Sequence, residues 1–390
     1  MNKKLFCMLT IILVLTIGLP IEINAEDSSA ILKNELLEEI SLEGVEEYWN
    51  SLSNEYGNYL PDMQKTTLSD FFRNSESFSM KSIISGFINF LFYEVIYSGK
   101  LLGSLLLLTI FSIVLQTMHS AFEKSAVSKI AYFVVFLVLI FIALNSFYTV
   151  ITYAKEAIDT MSSFMIGLLP LMLGLMATFG NFAAVSFFHP IILFLIHFTG
   201  VFISYFVLPL LSFSALLIIV SSISENYKVT NLANLFRTIA LGSIGVLLTI
   251  FLGVMSVQGA ASAIQDGVTM KTAKFITGNF IPVVGRTFTD AADTILSATL
   301  LLKNSLGIVG LIIILFICLF PAIKILVIAF IYKVAAAILQ PLGDGPIITT
   351  LQTLGTYILY VFACLLTVSF MFLLAIVIIV AASNLTLLLR

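Results

Sequence analysis

The chain has 390 residues, of which 59% are hydrophobic and 11% are charged, and its mean hydropathy is +1.09. Because soluble domains are roughly 25% charged, this composition excludes an ordinary soluble protein and predicts an all-α, polytopic helical membrane protein. The formal net charge of −3 is unevenly distributed. Residues 26–80 hold twelve acidic and three basic side chains, whereas residues 82–390 hold nine acidic and thirteen basic ones. A short acidic segment therefore precedes a long apolar body.

Residues 1–25 have the pattern of a signal peptide. Two lysines precede an apolar run over residues 5–19, which ends before Pro20. The run is shorter than the roughly 20 residues that a spanning helix needs, and residues 23–25 form an acceptable cleavage site. We expect cleavage near Ala25; an uncleaved membrane anchor is the alternative.

The acidic segment, residues 26–80, begins with apolar residues at helical spacing and acidic residues on the opposite side. A segment of about 55 residues is short for a self-sufficient hydrophobic core. We therefore expect a helical element outside the cytoplasm that docks onto a partner. A solvated acidic tether is the alternative interpretation.

The apolar body is predicted to cross the membrane about eight times. The predicted spans lie near residues 101–118, 130–151, 163–180, 190–221, 238–258, 305–321, 325–340 and 355–381. Five of them belong to a first membrane region, residues 81–258, and three to a second, residues 305–390. The fourth span contains Pro209, which predicts a kinked or broken helix. Lysine and arginine divide evenly between the two sides, so the charge bias does not fix the orientation.

A weak internal repeat relates AIDTMSS at residues 157–163 to AADTILS at residues 291–297. Each copy leads into an apolar span, a proline, a second apolar run and a second proline. If residues 259–289 do not cross the membrane, two units of three spans would be inverted relative to each other, as in many secondary transporters. Chance similarity between apolar sequences is the alternative.

The segment between the two membrane regions, residues 259–304, is amphipathic and less apolar than the predicted spans. Glycine permits unusual backbone angles and proline lacks a backbone N–H, so a helix break is predicted at Gly278, Pro282 and Gly285. Polar residues then recur along one side of the following helix. This polar stripe consists of Arg286, Asp290, Asp293, Ser297 and Asn304.

The polar stripe needs a polar environment, because a charge at bilayer depth costs at least about 2.5–3.5 kcal/mol. We expect the stripe to line an aqueous crevice or to meet a partner protein. An amphipathic helix on the membrane surface, with its stripe in the cytosol, is the alternative.

A second polar interruption lies near the end of the chain. Its turn-forming residues are Pro341, Gly343, Asp344, Gly345 and Pro346. This chemistry predicts a turn or a re-entrant loop. A tight turn and a gating or binding loop are the two interpretations.

Motifs of catalysis are missing from the sequence. It contains no phosphate-binding glycine loop, no HExxH and no nucleophile elbow. The three cysteines have no metal-binding or disulfide spacing, and no basic face suits nucleic acid. We therefore expect a protein that is not an enzyme, has no catalytic or metal-binding residues, and needs no cofactor.

Two long motifs carry a family resemblance. They are KFITGNFIPVVGRTFTDAADTILSATLLLKNSLGIVG at residues 274–310 and FPAIKILVIAFIYKVAAAILQPLGDGPI at residues 320–347. Together with the ending SNLTLLLR, they resemble the stage III sporulation protein AE family. The resemblance implies a multi-pass protein of endospore-forming bacteria, located in the mother-cell membrane that surrounds the forespore.

The same resemblance implies partners and a process. Family members are expected to work with other proteins of the stage III sporulation A operon, including its ATPase, in a secretion-like channel complex. That complex would meet stage II sporulation protein Q across the intermembrane space and support endospore formation and late forespore gene expression. The chain would then be a pore or scaffold subunit, without turnover of its own and in contact with the lipid bilayer. The alternative is a self-contained secondary transporter or permease with a midplane site between inverted repeats.

Overall fold

The computed structural model describes residues 42–73, 80–121, 126–177, 182–223, 228–280, 284–342 and 345–388. Within these ranges all regular structure is helical, which confirms the predicted fold class. The chain divides into two compact units. One consists of Ser41–Thr272 with Lys303–Arg390, and the other of Met1–Ile40 with Ala273–Leu302. The contacts described below lie in the first unit.

Three short helices form the head, defined as residues 42–73. They are α1 (Glu43–Tyr56), α2 (Pro61–Lys65) and α3 (Leu68–Arg73). Apolar residues recur along α1 at the spacing of one helix face, and the buried ones are Val45, Trp49, Leu52 and Tyr56. The head therefore has one apolar side, which it buries.

Local hydrogen bonds fix the turns of the head. The indole N–H of Trp49 donates to the carbonyl oxygen of Thr66 at 3.2 Å, which ties α1 to the chain between α2 and α3. Pro61 occupies the first turn of α2, where its missing N–H costs nothing. Thr67 and Asp70 form a reciprocal capping box: each side-chain oxygen accepts the other residue's backbone N–H, at 3.2 and 3.3 Å.

Long helices make up the rest of the described chain. They are α4 (Met80–Ala121), α5 (Ala126–Ala177), α6 (Phe182–Phe202), α7 (Leu208–Ile223), α8 (Thr230–Phe280), α9 (Val284–Leu339) and α10 (Pro346–Leu388). A π-helical turn, Ile203–Val207, joins α6 to α7, and a 3-10 turn, Gln340–Leu342, follows α9.

Six stretches of these helices are long and apolar enough to cross a membrane. They are Lys81–Leu115, Ile130–Leu175, Pro190–Ser222, Thr230–Val257, Thr299–Leu339 and Pro346–Ala381. This agrees roughly with the eight predicted spans, because α5 and α9 each contain two of them. The protein is therefore a multi-pass helical membrane protein.

The two merged helices are unusually long. α5 has 52 residues, so at 1.5 Å per residue it extends about 78 Å, against a hydrocarbon core of about 30 Å. Helix tilts of 0–40° shorten the projected length too little to place all of α5 within one hydrocarbon layer. Part of α5 therefore lies outside a single bilayer core.

α5 contacts α1, α4, α6, α7 and α10. The hydroxyl of Tyr332 on α9 donates to the carbonyl oxygen of Ala143 on α5 at 3.3 Å. The hydroxyl of Ser214 on α7 lies 2.5 Å from both the Ala233 carbonyl oxygen of α8 and the Tyr357 hydroxyl of α10. These bonds join helices that are distant in sequence and fix their register.

Close packing of α9 against α5 depends on a small residue. A Cβ placed on Gly310 would lie 2.6 Å from a methyl group of Leu168. Small residues commonly allow such close approach of helices in membrane proteins. A larger residue at position 310 would therefore have to displace the Leu168 side chain.

Candidate functional site

Polar residues lie in the middle of α5, between its two apolar halves. Lys155, Glu156 and Asp159 are within one helical turn of each other. They face the π-helical turn between α6 and α7, which carries Ser204 and Tyr205. We call these five residues the mid-helix site.

The π-helical turn has an identifiable cause in the sequence. Pro209, two residues after the turn ends, lacks the backbone N–H that would bond to the carbonyl of Tyr205 in an α-helix. The backbone N–H of Leu208 bonds instead to the carbonyl oxygen of Ile203, closing a wider turn. Single π-helical turns within α-helices occur frequently at functional sites. The kink predicted in this span therefore takes the form of a widened turn.

Two contacts connect the π-helical turn to α5. The Ser204 hydroxyl donates to a carboxylate oxygen of Asp159 at 2.8 Å. The ammonium nitrogen of Lys155 lies 4.2 Å from the centroid of the Tyr205 ring, within the range of a cation–π interaction. Lys155 and Asp159 each thereby gain a partner on the π-helical turn.

The mid-helix site opens into a crevice with a volume of about 610 Å³ between α5 and α7. Most of its wall is apolar, as in many small-molecule sites. Glu156 and Asp159 supply acceptors, and Lys155 supplies donors. The Ser212 hydroxyl donates to the Leu208 carbonyl oxygen at 2.9 Å, so it adds a further acceptor. The crevice therefore has groups to orient a small polar solute or a polar segment of a partner.

An aromatic cluster docks the head onto the bundle close to this site. Tyr56 of α1 stacks on Phe320 of α9, with ring centroids 3.8 Å apart and an interplanar angle of 2°. Phe90 of α4 packs edge-on against both rings, at 5.9 Å from Tyr56 and 4.9 Å from Phe320. Tyr48 of α1 packs edge-on against Phe164 of α5 at 5.2 Å. The head is therefore held by three long helices at once.

A second cavity, of about 240 Å³, lies between the head, α5 and α9. Lys324 of α9 projects into it, with its ammonium nitrogen 5.3 Å from the Tyr153 ring centroid and 5.9 Å from that of Tyr56. Glu156 lines this cavity as well as the crevice of the mid-helix site. The head therefore packs directly beside the polar residues of α5.

Burial keeps the docking tyrosines of the head neutral. It raises the pKa of the Tyr56 hydroxyl above its ordinary value of 10.0, and neighbouring Glu55 adds to the shift. Burial also raises the pKa of Tyr48, with a smaller contribution from the charge of Glu47. Both hydroxyls therefore stay protonated over the physiological pH range.

The polar stripe predicted from the sequence lies on α9. The side chains of its first four members fall outside the described residues. These are Arg286, Asp290, Asp293 and Ser297. Asn304 is described, and its side-chain oxygen is buried without a hydrogen-bond partner among the described residues. Beside it, the Lys303 ammonium donates to the carbonyl oxygen of Val380 at 3.2 Å. The solvent access of the stripe stays a prediction.

Two of the three predicted helix-break residues lie in described helices, and the break itself stays a prediction. Gly278 lies in the last turn of α8, Pro282 lies outside the described residues, and Gly285 lies in the first turn of α9.

The predicted loop connects α9 to α10. Pro341 lies in the 3-10 turn. Pro346 is the first residue of α10, and the carbonyl of the preceding Gly345 accepts the Ile348 N–H at 3.1 Å. Gly343 and Asp344 are outside the described residues. A gating role stays a prediction.

Sequence reasoning missed the mid-helix site as a unit. Pro209 signalled the distorted helix, and Lys155 and Glu156 were visible as charges between apolar runs. The contacts of Asp159 with Ser204 and of Lys155 with Tyr205 join residues on different helices, which no local pattern reports. Among the described residues, no group of three or more histidine, cysteine, aspartate or glutamate side chains could hold a metal ion.

Comparison with known proteins identifies a family. The family described as stage III sporulation protein AE matches residues 63–383. The chain is 54% identical over 346 residues to stage III sporulation protein AE of Bacillus subtilis (strain 168), covering 89% of this chain and 87% of that relative. No solved structure matches this chain significantly.

Proposed function

Because the chain belongs to the stage III sporulation protein AE family, we propose that it is a non-enzymatic subunit of a channel complex joining the mother cell to the forespore. Family membership supports a role in sporulation, and the helical bundle is that of a multi-pass membrane protein. We further propose that the protein lies in the mother-cell membrane around the forespore. There it would assemble with the stage III sporulation A proteins and their ATPase.

The docked head is the observation that carries this proposal. Its aromatic side is buried against α4, α5 and α9, so the head is fixed on the bundle. The exposed side of α1 carries three glutamates, which we call the acidic face. They are Glu43, Glu46 and Glu47. A rigid acidic surface on a membrane protein suits electrostatic docking of a partner. We assign the acidic face to a partner in the intermembrane space, such as stage II sporulation protein Q.

The mid-helix site supports the same proposal from the membrane side. The polar residues of α5 adjoin the head through Glu156, which lines the cavities on both sides. A partner bound to the head would therefore act close to the crevice. In a channel subunit, this proximity would couple docking outside the membrane to the packing of α5 against the π-helical turn.

The crevice also motivates the second candidate, a secondary transporter. It joins charged residues of α5 to a widened helical turn, as ion-coupled transporters do at broken helices. The comparisons place the chain in a sporulation family rather than a transporter family, and we therefore favour the channel subunit.

Purification from sporulating cells separates the two candidates. Affinity-tagged chain, expressed in place of its Bacillus subtilis relative, should co-purify with the stage III sporulation A proteins. The same chain alone in liposomes should move no solute. Saturable, ion-coupled uptake that disappears in Asp159→Ala would reject the channel subunit in favour of the transporter. Isolation of the chain without operon partners, at full sporulation efficiency, would also contradict the proposal.

A further inference from the structure

A second polar crevice lies away from the mid-helix site, where α7, α8, α9 and α10 meet near the end of α9. Its volume is about 410 Å³. Two basic side chains line it, Arg237 of α8 and Lys333 of α9. Neutral polar groups complete the lining, and these belong to Gln340, Gln352, Thr353 and Thr356. We call this cavity the basic crevice.

Among the residues that the structure describes, the two cations of the basic crevice have no acidic partner. Within the described part of the chain, no acidic residue lines the crevice. The Lys333 ammonium donates to the Thr356 hydroxyl at 2.6 Å, which leaves two of its three N–H donors for another acceptor. A threonine hydroxyl orients the ammonium without neutralising it. The positive charge of the crevice therefore favours the binding of an anion.

The donor set suits a phosphate group. The guanidinium of Arg237 has five N–H donors in a planar fork that matches phosphate oxygens, and a lysine ammonium adds a point charge. The side chains of Gln340 and Gln352 add neutral N–H donors on the same wall. A tetrahedral oxyanion would therefore meet donors from α8, α9 and α10.

The location indicates where the phosphate comes from. Lys333 lies near the end of the apolar stretch Thr299–Leu339, and Gln340 follows that stretch directly. Such stretch ends lie at the boundary between hydrocarbon and headgroups. Ile338 directly follows the lining residue Ala337 and is 53% exposed, and Val220, two residues after the lining residue Ile218, is 55% exposed. Both side chains would meet acyl chains. Basic pockets between membrane helices are known to hold anionic lipid headgroups.

We infer that the basic crevice binds a phosphate group between Arg237 and Lys333, and that this phosphate belongs to the headgroup of an anionic phospholipid. The bound lipid would supply the missing counterion and connect the ends of α8, α9 and α10. A free phosphate ion offers the same oxyanion, so the experiment must separate the two sources.

The test titrates the purified full chain in detergent with short-chain phosphatidylglycerol. Parallel titrations use short-chain phosphatidylcholine and inorganic phosphate. Native mass spectrometry counts the retained lipids, and the thermal unfolding midpoint reports binding independently. Phosphatidylglycerol should bind saturably and raise the midpoint, whereas phosphatidylcholine, which has no net charge, should bind more weakly.

Substitutions of the two cations locate the binding. A basic side chain near a membrane surface contributes about 1 kcal/mol to anionic-lipid binding, which is about fivefold in affinity. Arg237→Gln and Lys333→Gln should each weaken phosphatidylglycerol binding about fivefold, and together about 25-fold. Lys333→Arg keeps the charge and should retain binding. Lys228→Gln, which removes an exposed lysine outside the crevice, should behave as the unaltered chain.

The other outcomes of these titrations separate lipid binding from misfolding and from binding of free phosphate. Unchanged Trp49 emission in the glutamine variants would exclude misfolding as the cause of weaker binding. Equal lipid binding by all variants, or equal binding of both lipids, would overturn the inference. If inorganic phosphate binds in an Arg237-dependent manner and displaces the lipid at millimolar concentration, the phosphate chemistry stands and the lipid source is wrong.

Discussion

Removing the ring of Tyr56 should release the head from the bundle. The Tyr56 side chain is 6% exposed, stacks on Phe320 at 3.8 Å and meets Phe90 edge-on at 5.9 Å. Truncating a large buried aromatic side chain to alanine costs about 3–5 kcal/mol. The two ring contacts account for about 0.5–1.5 kcal/mol each within that total. A loss of about 3 kcal/mol raises the undocked population about a hundredfold.

The single tryptophan of the chain gives the assay. Trp49 lies on α1 and is 1% exposed, so undocking of the head should shift its emission to longer wavelength. Hydrogen exchange over residues 43–73 should accelerate in Tyr56→Ala by the same hundredfold. Tyr56→Phe keeps the ring and should stay protected, and Tyr97→Ala, at a site 64% exposed, controls for loss of a surface tyrosine. Equal emission and exchange in Tyr56→Ala and Tyr56→Phe would refute the docking by ring packing.

Three further predictions concern the same region. Gly86→Val should loosen the head by about 1–3 kcal/mol, because a Cβ at Gly86 would collide with the carbonyl oxygen of Tyr59. Gly99 has open space around it, so Gly99→Val should leave the head in place. Protease sensitivity of the head checks both variants. Asp159→Ala and Ser204→Ala should each destabilise the bundle and, in a double-mutant cycle, show a coupling of about 1.5 kcal/mol; denaturant unfolding that gives additive losses would contradict their hydrogen bond. Because burial raises the pKa of Tyr56 from 10.0, its docking should be at full strength below pH 10 and be lost as the pH rises through the folded-state pKa; Trp49 emission in an alkaline titration should show this loss, and Tyr56→Phe should abolish that component.

The sequence was sufficient for the fold class because the lipid environment leaves few alternatives. In the hydrocarbon layer no water is available to bond to backbone N–H and C=O groups, so a long apolar run satisfies them by forming a helix. All regular structure in the described residues is helical. The number of spans was harder to predict. Lys155 and Glu156 in α5 and Pro321 in α9 separate apolar runs in the sequence, yet both helices continue through them.

Tertiary contacts explain why those helices continue. Lys155 lies on the face of the Tyr205 ring, and Asp159 accepts the Ser204 hydroxyl. Lys324, just after Pro321, lies near the rings of Tyr153 and Tyr56. A charge that is paired within the bundle need not end a helix at the membrane surface. Such pairing depends on neighbours from other helices and was therefore hidden from periodicity.

The site was less predictable than the fold for the same reason. Arg237 and Lys333 were visible as isolated basic residues, and only the packing of α8 against α9 and α10 places them in one crevice. Tyr56 and Phe320 stack across most of the chain length. Asn304 of the polar stripe has a buried side-chain oxygen, which local spacing alone would place toward water or a partner.

Site-specific photo-crosslinking in sporulating cells tests the channel-subunit account most directly. A photoreactive amino acid at Glu47, on the acidic face, should crosslink to a partner protein of the intermembrane space, whereas the same group at the buried Leu52 should give only crosslinks within the chain. The account predicts a Glu47 product that contains stage II sporulation protein Q or a stage III sporulation A protein. Glu47 crosslinks to cytoplasmic proteins alone, or no intermolecular product in cells that sporulate normally, would contradict it.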